Sequence, residues 1–146
     1  MIDTGLKLPM SAESLVPHSP PFLFVNQLLE FSGQVGVVES VLSPDNLFLD
    51  KDGRLKELAM VEILAQAAAA VKGYSSLQAG EEIKKGFLVD IREFHFKKEC
   101  FSGDIIHSRI EILKSFSGFN ILKGELEAKG EELASGLLKL WVPDDV

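Results

Sequence analysis

Leu58-Ala-Met-Val-Glu62-Ile-Leu-Ala-Gln66-Ala-Ala-Ala-Ala70-Val-Lys-Gly-Tyr-Ser-Ser-Leu77 is the stretch whose reading decides the fold. It is rich in Ala, Leu and Met and free of proline, so it predicts one helix of roughly 20 residues, about 30 Å long by the rise per residue. Its apolar residues cover nearly the whole circumference. Such a helix has to be buried on most sides, and the rest of the chain offers only strands to bury it.

Working outward, residues 1–21 are turn-rich, with Pro9, Pro17, Pro20 and Pro21. Ser11-Ala-Glu-Ser14 offers a short helical turn that Pro17 ends. Phe22 to Phe31 reads as a strand, Ser32-Gly33 as a turn, and Val35, Val37, Glu39 and Val41 continue extended, which makes a first hairpin. Ser43-Pro-Asp-Asn46 and Asp50-Lys-Asp-Gly53 are turn chemistry before the helix. After the loop Gln78 to Lys85 come four strand-like runs, Gly86 to Lys97, Asp104 to Phe116, Phe119 to Ala128 and Glu131 to Val142. Ser102-Gly103, Ser117-Gly118 and Lys129-Gly130 separate them, and the short turns make the last three an antiparallel meander. The order is that of an α+β domain whose long central helix lies in the concave face of a curved antiparallel sheet of six strands. With 146 residues, 46% of them hydrophobic, residues 1–146 suit a single domain with one core.

Composition narrows the function. A net charge of -7 repels a phosphate backbone, and the fifteen Lys and Arg are scattered except for Lys84-Lys85 and Lys97-Lys98, so nucleic acid is not an expected partner. Gly33 and Gly36 lie in a turn that leads into no helix, so no nucleotide and no other cofactor is indicated. The longest apolar run, Leu58 to Val71, is interrupted by Glu62 and Gln66 and is too short to cross ~30 Å of hydrocarbon. Met1 to Met10 has only Lys7 as a basic residue and lacks the apolar stretch of a secretory signal, so a cytoplasmic location is expected. Cys100 is the one cysteine, which excludes an internal disulfide and a Cys-based zinc cluster, and no metal site is expected.

Few residues qualify for chemistry. Glu62 and Gln66 are the only polar side chains in the first three turns after Leu58, and a spacing of four puts them on one face. One reading is a carboxylate favoured by the helix dipole and simply exposed. Glu57 would serve the dipole equally well and lies closer to the start, so a carboxylate that interrupts an apolar wall also fits an acid held in a cleft. His95 and His107 alternate with apolar residues, as half-exposed strand positions do. His18, between Pro17 and Ser19, is the better candidate for catalysis, beside the reading in which it holds its loop by hydrogen bonds. Cys100 reads as a small half-buried residue.

Three segments together resemble the FabZ/FabA-type β-hydroxyacyl-acyl-carrier-protein dehydratases. Leu15-Val-Pro-His18-Ser-Pro-Pro-Phe22-Leu-Phe-Val is similar to the family's Leu-Pro-His-Arg-x-Pro-Phe-Leu opening, with Ser19 in place of arginine. Val61-Glu62-Ile-Leu-Ala-Gln66-Ala-Ala is similar to its helix motif Glu-x-Leu-Ala-Gln-Ala. Phe87-Leu-Val-Asp-Ile91, then Phe96, and Ser102-Gly103-Asp104 match its Leu-x-x-Ile strand, the phenylalanine after it and its Pro-Gly-Asp turn, with Ser102 for proline.

The resemblance implies a hot-dog fold and a homodimer or dimer-based oligomer. Each site would combine a histidine of one subunit with an acid on the helix of the other, and the acidic role falls on Glu62. Gln66, Phe22 and Phe87, in the matched segments, are then expected against the substrate, a β-hydroxyacyl thioester of acyl carrier protein or coenzyme A. An acidic carrier needs a local basic patch for docking, and Lys97-Lys98 with Arg92, or Lys84-Lys85, are the clusters available. The chain departs from the family before the helix. Phe48-Leu-Asp-Lys-Asp-Gly-Arg-Leu-Lys-Glu57 stands where the family has Gly-His-Phe-Pro-Gly and then Met-Pro-Gly, so the usual base and the usual oxyanion turn are both missing. His18 or an aspartate of the Asp45 to Asp52 loop is the substitute base in a dehydratase reading. The other readings are a non-catalytic acyl-thioester-binding subunit, and a thioesterase in which Glu62 activates water.

Overall fold

In the computed structural model, which describes residues 6–143, the alanine-rich stretch forms the helix α1, Glu57–Gln78, one residue longer at each end than predicted. Met60, Ile63, Leu64, Ala67 and Val71 are fully buried along it. One flank, formed by Val61, Glu62, Ala65, Ala69 and Lys72, is only half-covered, and Leu58 at its start is 82% exposed.

The strands are β1 (Met10–Ser11), β2 (Gln27–Ser32), β3 (Val35–Val41), β4 (Phe87–Phe96), β5 (Ile105–Phe116), β6 (Phe119–Ala128) and β7 (Glu131–Trp141). They form one seven-stranded antiparallel sheet in the order β1-β2-β3-β5-β6-β7-β4. This is the hot-dog arrangement that the sequence predicts, with two differences. The two-residue β1, which pairs Met10 with Leu28, adds a seventh strand at the edge. The first hairpin strand starts at Gln27 rather than Phe22, because the backbone of Phe22 and Phe24 is held by Gln66 of α1 and not by a neighbouring strand.

Alternation along β5, β6 and β7 turns Ile106, Ile110, Leu122, Leu126 and Leu138 inward, each fully or almost fully buried. Burial of one such side chain contributes about 1.5–3 kcal/mol, so this inner face against α1 is where most of the stability resides. Gly124 lets the layers close up: a Cβ there would lie 2.7 Å from Leu64 Cδ2. β4 is different. It pairs only with β7 and exposes Phe87, Leu88 and Val89, so it is an apolar edge strand beside the half-covered flank of α1.

The lead-in segment crosses α1 at Gly73. A Cβ at that position would sit 2.5 Å from the carbonyl oxygen of Leu15, a backbone atom that cannot swing aside. Alanine favours a helix over glycine by about 1 kcal/mol, so propensity alone makes Gly73→Ala stabilising. Packing reverses the sign: overpacking against a backbone costs about 1–3 kcal/mol. The denaturant midpoint of Gly73→Ala is expected to fall, with the resonances of Leu15 to His18 shifted; a midpoint at or above wild type would refute the close approach.

On the convex face Gln27, Glu39, His107 and Glu127 form a cross-strand row. His107 Nε2 lies 3.1 Å from Glu39 Oε2 and its Nδ1 is 3.7 Å from Glu127 Oε1. The hydrogen bonds from His107 and then Gln27 hold the Glu39 carboxyl below its ordinary value of 4.5. A carboxyl so depressed adds stability that is present above that ordinary value and lost as pH falls through the folded one. His107→Ala removes the leading cause, so the Glu39 titration followed by carbon-detected NMR is expected to move upward toward 4.5.

Candidate active site

The site is organised around the one fully buried polar side chain of α1. Gln66 is 1% exposed, and its amide is spent on three partners. Its Oε1 accepts the Phe24 N–H at 2.8 Å, while its Nε2 donates to the Phe22 carbonyl at 2.8 Å and to Glu62 Oε1 at 2.9 Å. A buried amide left unpaired would cost about 1–3 kcal/mol, so these bonds decide the local conformation. They bring the Phe22–Phe24 backbone onto the helix and point the Glu62 carboxylate one turn back from Gln66.

His18 lies between that anchor and the Leu15 contact at Gly73. Its Nε2 is 3.7 Å from Glu62 Oε1, and its Nδ1 is buried without a protein partner. At 3.7 Å the two do not share a direct hydrogen bond. Both side chains border two cavities, so a reactive group can reach the space between them from either side.

The first cavity, of about 280 Å³, runs along the half-covered flank of α1 past Ala65 and Ala69 to Lys72, with Phe87 of β4 and Leu140 of β7 as the opposite wall. Lys84 and Lys85 border it too. The second, of about 350 Å³, is bounded by Phe22, Phe24, Phe48, Leu58 and Ala59 at the start of the helix. The Phe24 and Phe48 rings meet edge to face with centroids 5.1 Å apart, which makes it an aromatic, apolar compartment.

Of the residues singled out by sequence, Glu62, His18, Phe22 and Phe87 therefore converge on these cavities. Gln66 does not border either one. It stands behind Glu62, with its amide oxygen accepting from Phe24 and its amide nitrogen donating to Phe22 and Glu62. Lys97, Lys98 and Arg92 are also elsewhere: Lys97 pairs with Glu132, Lys98 with Glu131, and Arg92 with Asp90 at 2.7 Å. The Asp45 to Asp52 loop lends Phe48 to the second cavity, but none of its aspartates lines either one. Asp50 accepts the N–H groups of Arg54 and Asp52, and the Arg54 N–H above all holds its carboxyl below the usual range. Burial, with Asp104 adding, pushes the Cys100 thiol up to about 12, so it is not a nucleophile near neutral pH.

Sequence reasoning missed Phe24, Phe48 and Lys72 as lining residues. Lys72 had a readable signal: Glu62, Ala65, Ala69, Lys72 and Ser76 fall on one stripe, less than about 100° wide at 3.6 residues per turn. Phe48 had none, since only the folded loop before α1 carries it to Phe24.

Comparison with known proteins agrees with this fold. Residues 10–146 match the family model described as ApeP-like, ApeP dehydratase. The 3-hydroxyacyl-[acyl-carrier-protein] dehydratase FabZ of Ruminiclostridium cellulolyticum is 29% identical over 133 residues, 86% of this chain and 89% of that protein. Among solved structures, the dehydratase heterocomplex ApeI:P from Xenorhabdus doucetiae superposes with a TM-score of 0.85 at 23% identity, covering 94% of this chain and 93% of the other. The E. coli PaaI protein from the phenylacetic acid degradation operon shares the fold, with a TM-score of 0.63 at 11% identity over 78% of this chain and 80% of its own. By the family match over nearly its whole length, the chain is a divergent member of the hot-dog dehydratases and belongs to the ApeP-like dehydratase family.

Proposed function

We propose that the chain dehydrates β-hydroxyacyl thioesters carried by acyl carrier protein, with Glu62 as acid and His18 as base. The observation that carries this reading is the 3.7 Å approach of the His18 and Glu62 side chains where two cavities meet. Elimination breaks a C–H bond at the α carbon and a C–O bond at the neighbouring β carbon. Two groups facing each other across a few ångströms can address adjacent carbons at once. His18 takes the α proton, the electron pair forms the double bond, and Glu62 gives its proton to the departing hydroxyl, which leaves as water. The products are imidazolium and carboxylate, and one proton passed from His18 to Glu62 restores the starting pair. Gln66, which donates to Glu62 Oε1, holds that carboxyl in place without touching the substrate.

The same reading includes a second hot-dog chain. Phe22, Leu58, Phe87, Leu88 and Val89 are exposed apolar residues around the cavities, along the open flank of α1 and the free edge of β4. Such a rim suits a subunit interface. A like chain makes a homodimer. A different hot-dog chain makes a heterocomplex, the kind of assembly that the ApeI:P structure represents. Light scattering on the isolated protein and on a mixture with such a chain is expected to show a dimer in at least one case. A monomer in both at micromolar concentration would remove this part of the proposal.

The acid is tested by Glu62→Gln. Its amide oxygen can still accept from Gln66, so stability is expected to stay within a few tenths of a kcal/mol. Turnover of a hydroxyacyl-carrier protein to the enoyl product should fall by about 10²–10⁴-fold. Glu57→Gln, which shares the helix dipole but lies outside both cavities, should leave the rate unchanged. A comparable loss in His18→Ala assigns the base. Release of free thiol without enoyl formation would instead establish a thioesterase, and no turnover of any chain length would leave an acyl-thioester-binding subunit.

A further inference from the structure

We propose that a row of aromatic rings at one end of the convex sheet face, Phe116, Phe119, Trp141 and Phe87 with the lysines that lie over them, is a docking surface for an anionic lipid layer. The surface is separate from the Glu62 and His18 pair and does not rest on the dehydratase reading.

The row follows from register. Phe116 pairs with Phe119, Phe119 with Trp141 and Trp141 with Phe87, so one ring from each of β5, β6, β7 and β4 stands beside the next. At about 4.8 Å between neighbouring strands, the row spans roughly 14 Å. Alternation settles the face: Asn120, Leu122, Leu138 and Leu140 are buried against the core, so Phe119 and Trp141 point outward. The Phe119 and Trp141 rings stack with centroids 6.3 Å apart, and Phe116 stands 6.2 Å from Phe119. Phe116, next to the turn at Ser117, is 53% exposed. Phe87 also belongs to the seam that suits a second chain, so the surface is argued from the other three rings.

Lys139 Nζ lies 4.6 Å from the Phe119 ring centroid, Lys114 Nζ 5.1 Å from that of Phe116 and Lys85 Nζ 5.3 Å from that of Phe87. A ring attracts an ammonium without neutralising it. Among the described residues none of these three has a carboxylate partner. Arg92, Lys97, Lys98, Arg109, Lys123 and Lys129, on or next to the same sheet, each face one. The sheet therefore keeps its uncompensated positive charge around this row of rings, although the chain as a whole carries -7. The identity of the cation decides between occupants. Protein interfaces enrich aromatic residues together with arginine and are depleted of lysine. Aromatic residues with lysine are the pairing of the membrane–water interface: the rings sit at headgroup level, and the ammonium reaches anionic headgroups on a stem that lies along apolar surface.

Trp141 is the one tryptophan of the chain, so its fluorescence reads this surface directly. The full chain, in the assembly it forms, is titrated with phosphatidylcholine vesicles and with mixed phosphatidylcholine–phosphatidylserine vesicles at low and at high salt. At low salt the mixed vesicles are expected to shift the Trp141 emission to the blue and to sediment the protein, and both effects should weaken at high salt. Lys114→Gln and Lys139→Gln should each lower the partition coefficient about fivefold. Phe116→Ser should lower it as well while leaving the salt dependence in place. Lys114 and Phe116 are exposed, so their variants keep the test valid if Lys139→Gln disturbs the sheet. Lys97→Gln/Lys98→Gln, at positions already paired with carboxylates, should bind like wild type. No response to the mixed vesicles, equal binding to both kinds of vesicle, or binding that Lys114→Gln leaves unchanged would each overturn the site. A polyglutamate peptide that shifts the Trp141 emission where the vesicles do not would assign the row to an acidic protein and overturn the lipid reading.

Discussion

A primary amide inside an apolar helix has to find partners, because water cannot reach it, and in this fold Gln66 finds all of them within one small region. Its bonds to Phe22 and Phe24 explain why the first hairpin strand begins only at Gln27, and its bond to Glu62 sets the carboxylate. Gly73, two turns further along α1, takes the carbonyl of Leu15 in the space a methyl group would need. His18 is thus suspended between two anchors on the helix that carries Glu62. The separation of the two side chains is set by α1 itself and depends little on the loop that bears the histidine.

The sheet completes this arrangement by what it leaves uncovered. Seven strands could close around the helix, but the chain places β4 at the far edge beside β7, and its exposed Phe87, Leu88 and Val89 border the open flank of α1. Apolar side chains left this exposed along a free sheet edge form a surface suited to being covered by another chain. The first cavity and the apolar seam are the same feature, since the cavity is the space between the helix flank and the edge strand.

The fold was legible because it rests on period and punctuation. An all-round apolar helix, Ser-Gly and Lys-Gly turns and alternating strands are local properties, and the structure moves the predicted boundaries by only a residue or two, apart from Phe22 to Asn26. That exception is instructive: a run of beta-formers reads as strand, yet a distant glutamine claimed its backbone. Of the candidate site, Glu62 and His18 were visible as residues out of place, a carboxylate in an apolar wall and a histidine among prolines. Their distance was not, because it depends on Gly73 and Gln66 acting on a segment more than forty residues away in sequence.

Charge shows most clearly where sequence adjacency misleads. Lys97 and Lys98 form a cluster on paper, but the return of β7 brings Glu131 and Glu132 opposite them, and the pair is neutralised across the sheet. Lys72 and Lys85 are thirteen residues apart and look unrelated, yet the turn after α1 folds them onto one cavity. With a Debye length of about 8 Å at physiological salt, the net charge of the chain matters little at a cavity mouth, and the nearest few groups decide the local potential. The surroundings of a charge therefore follow from its fold neighbours: Lys97 and Lys98 face carboxylates across the sheet, whereas Lys85 lies over the Phe87 ring.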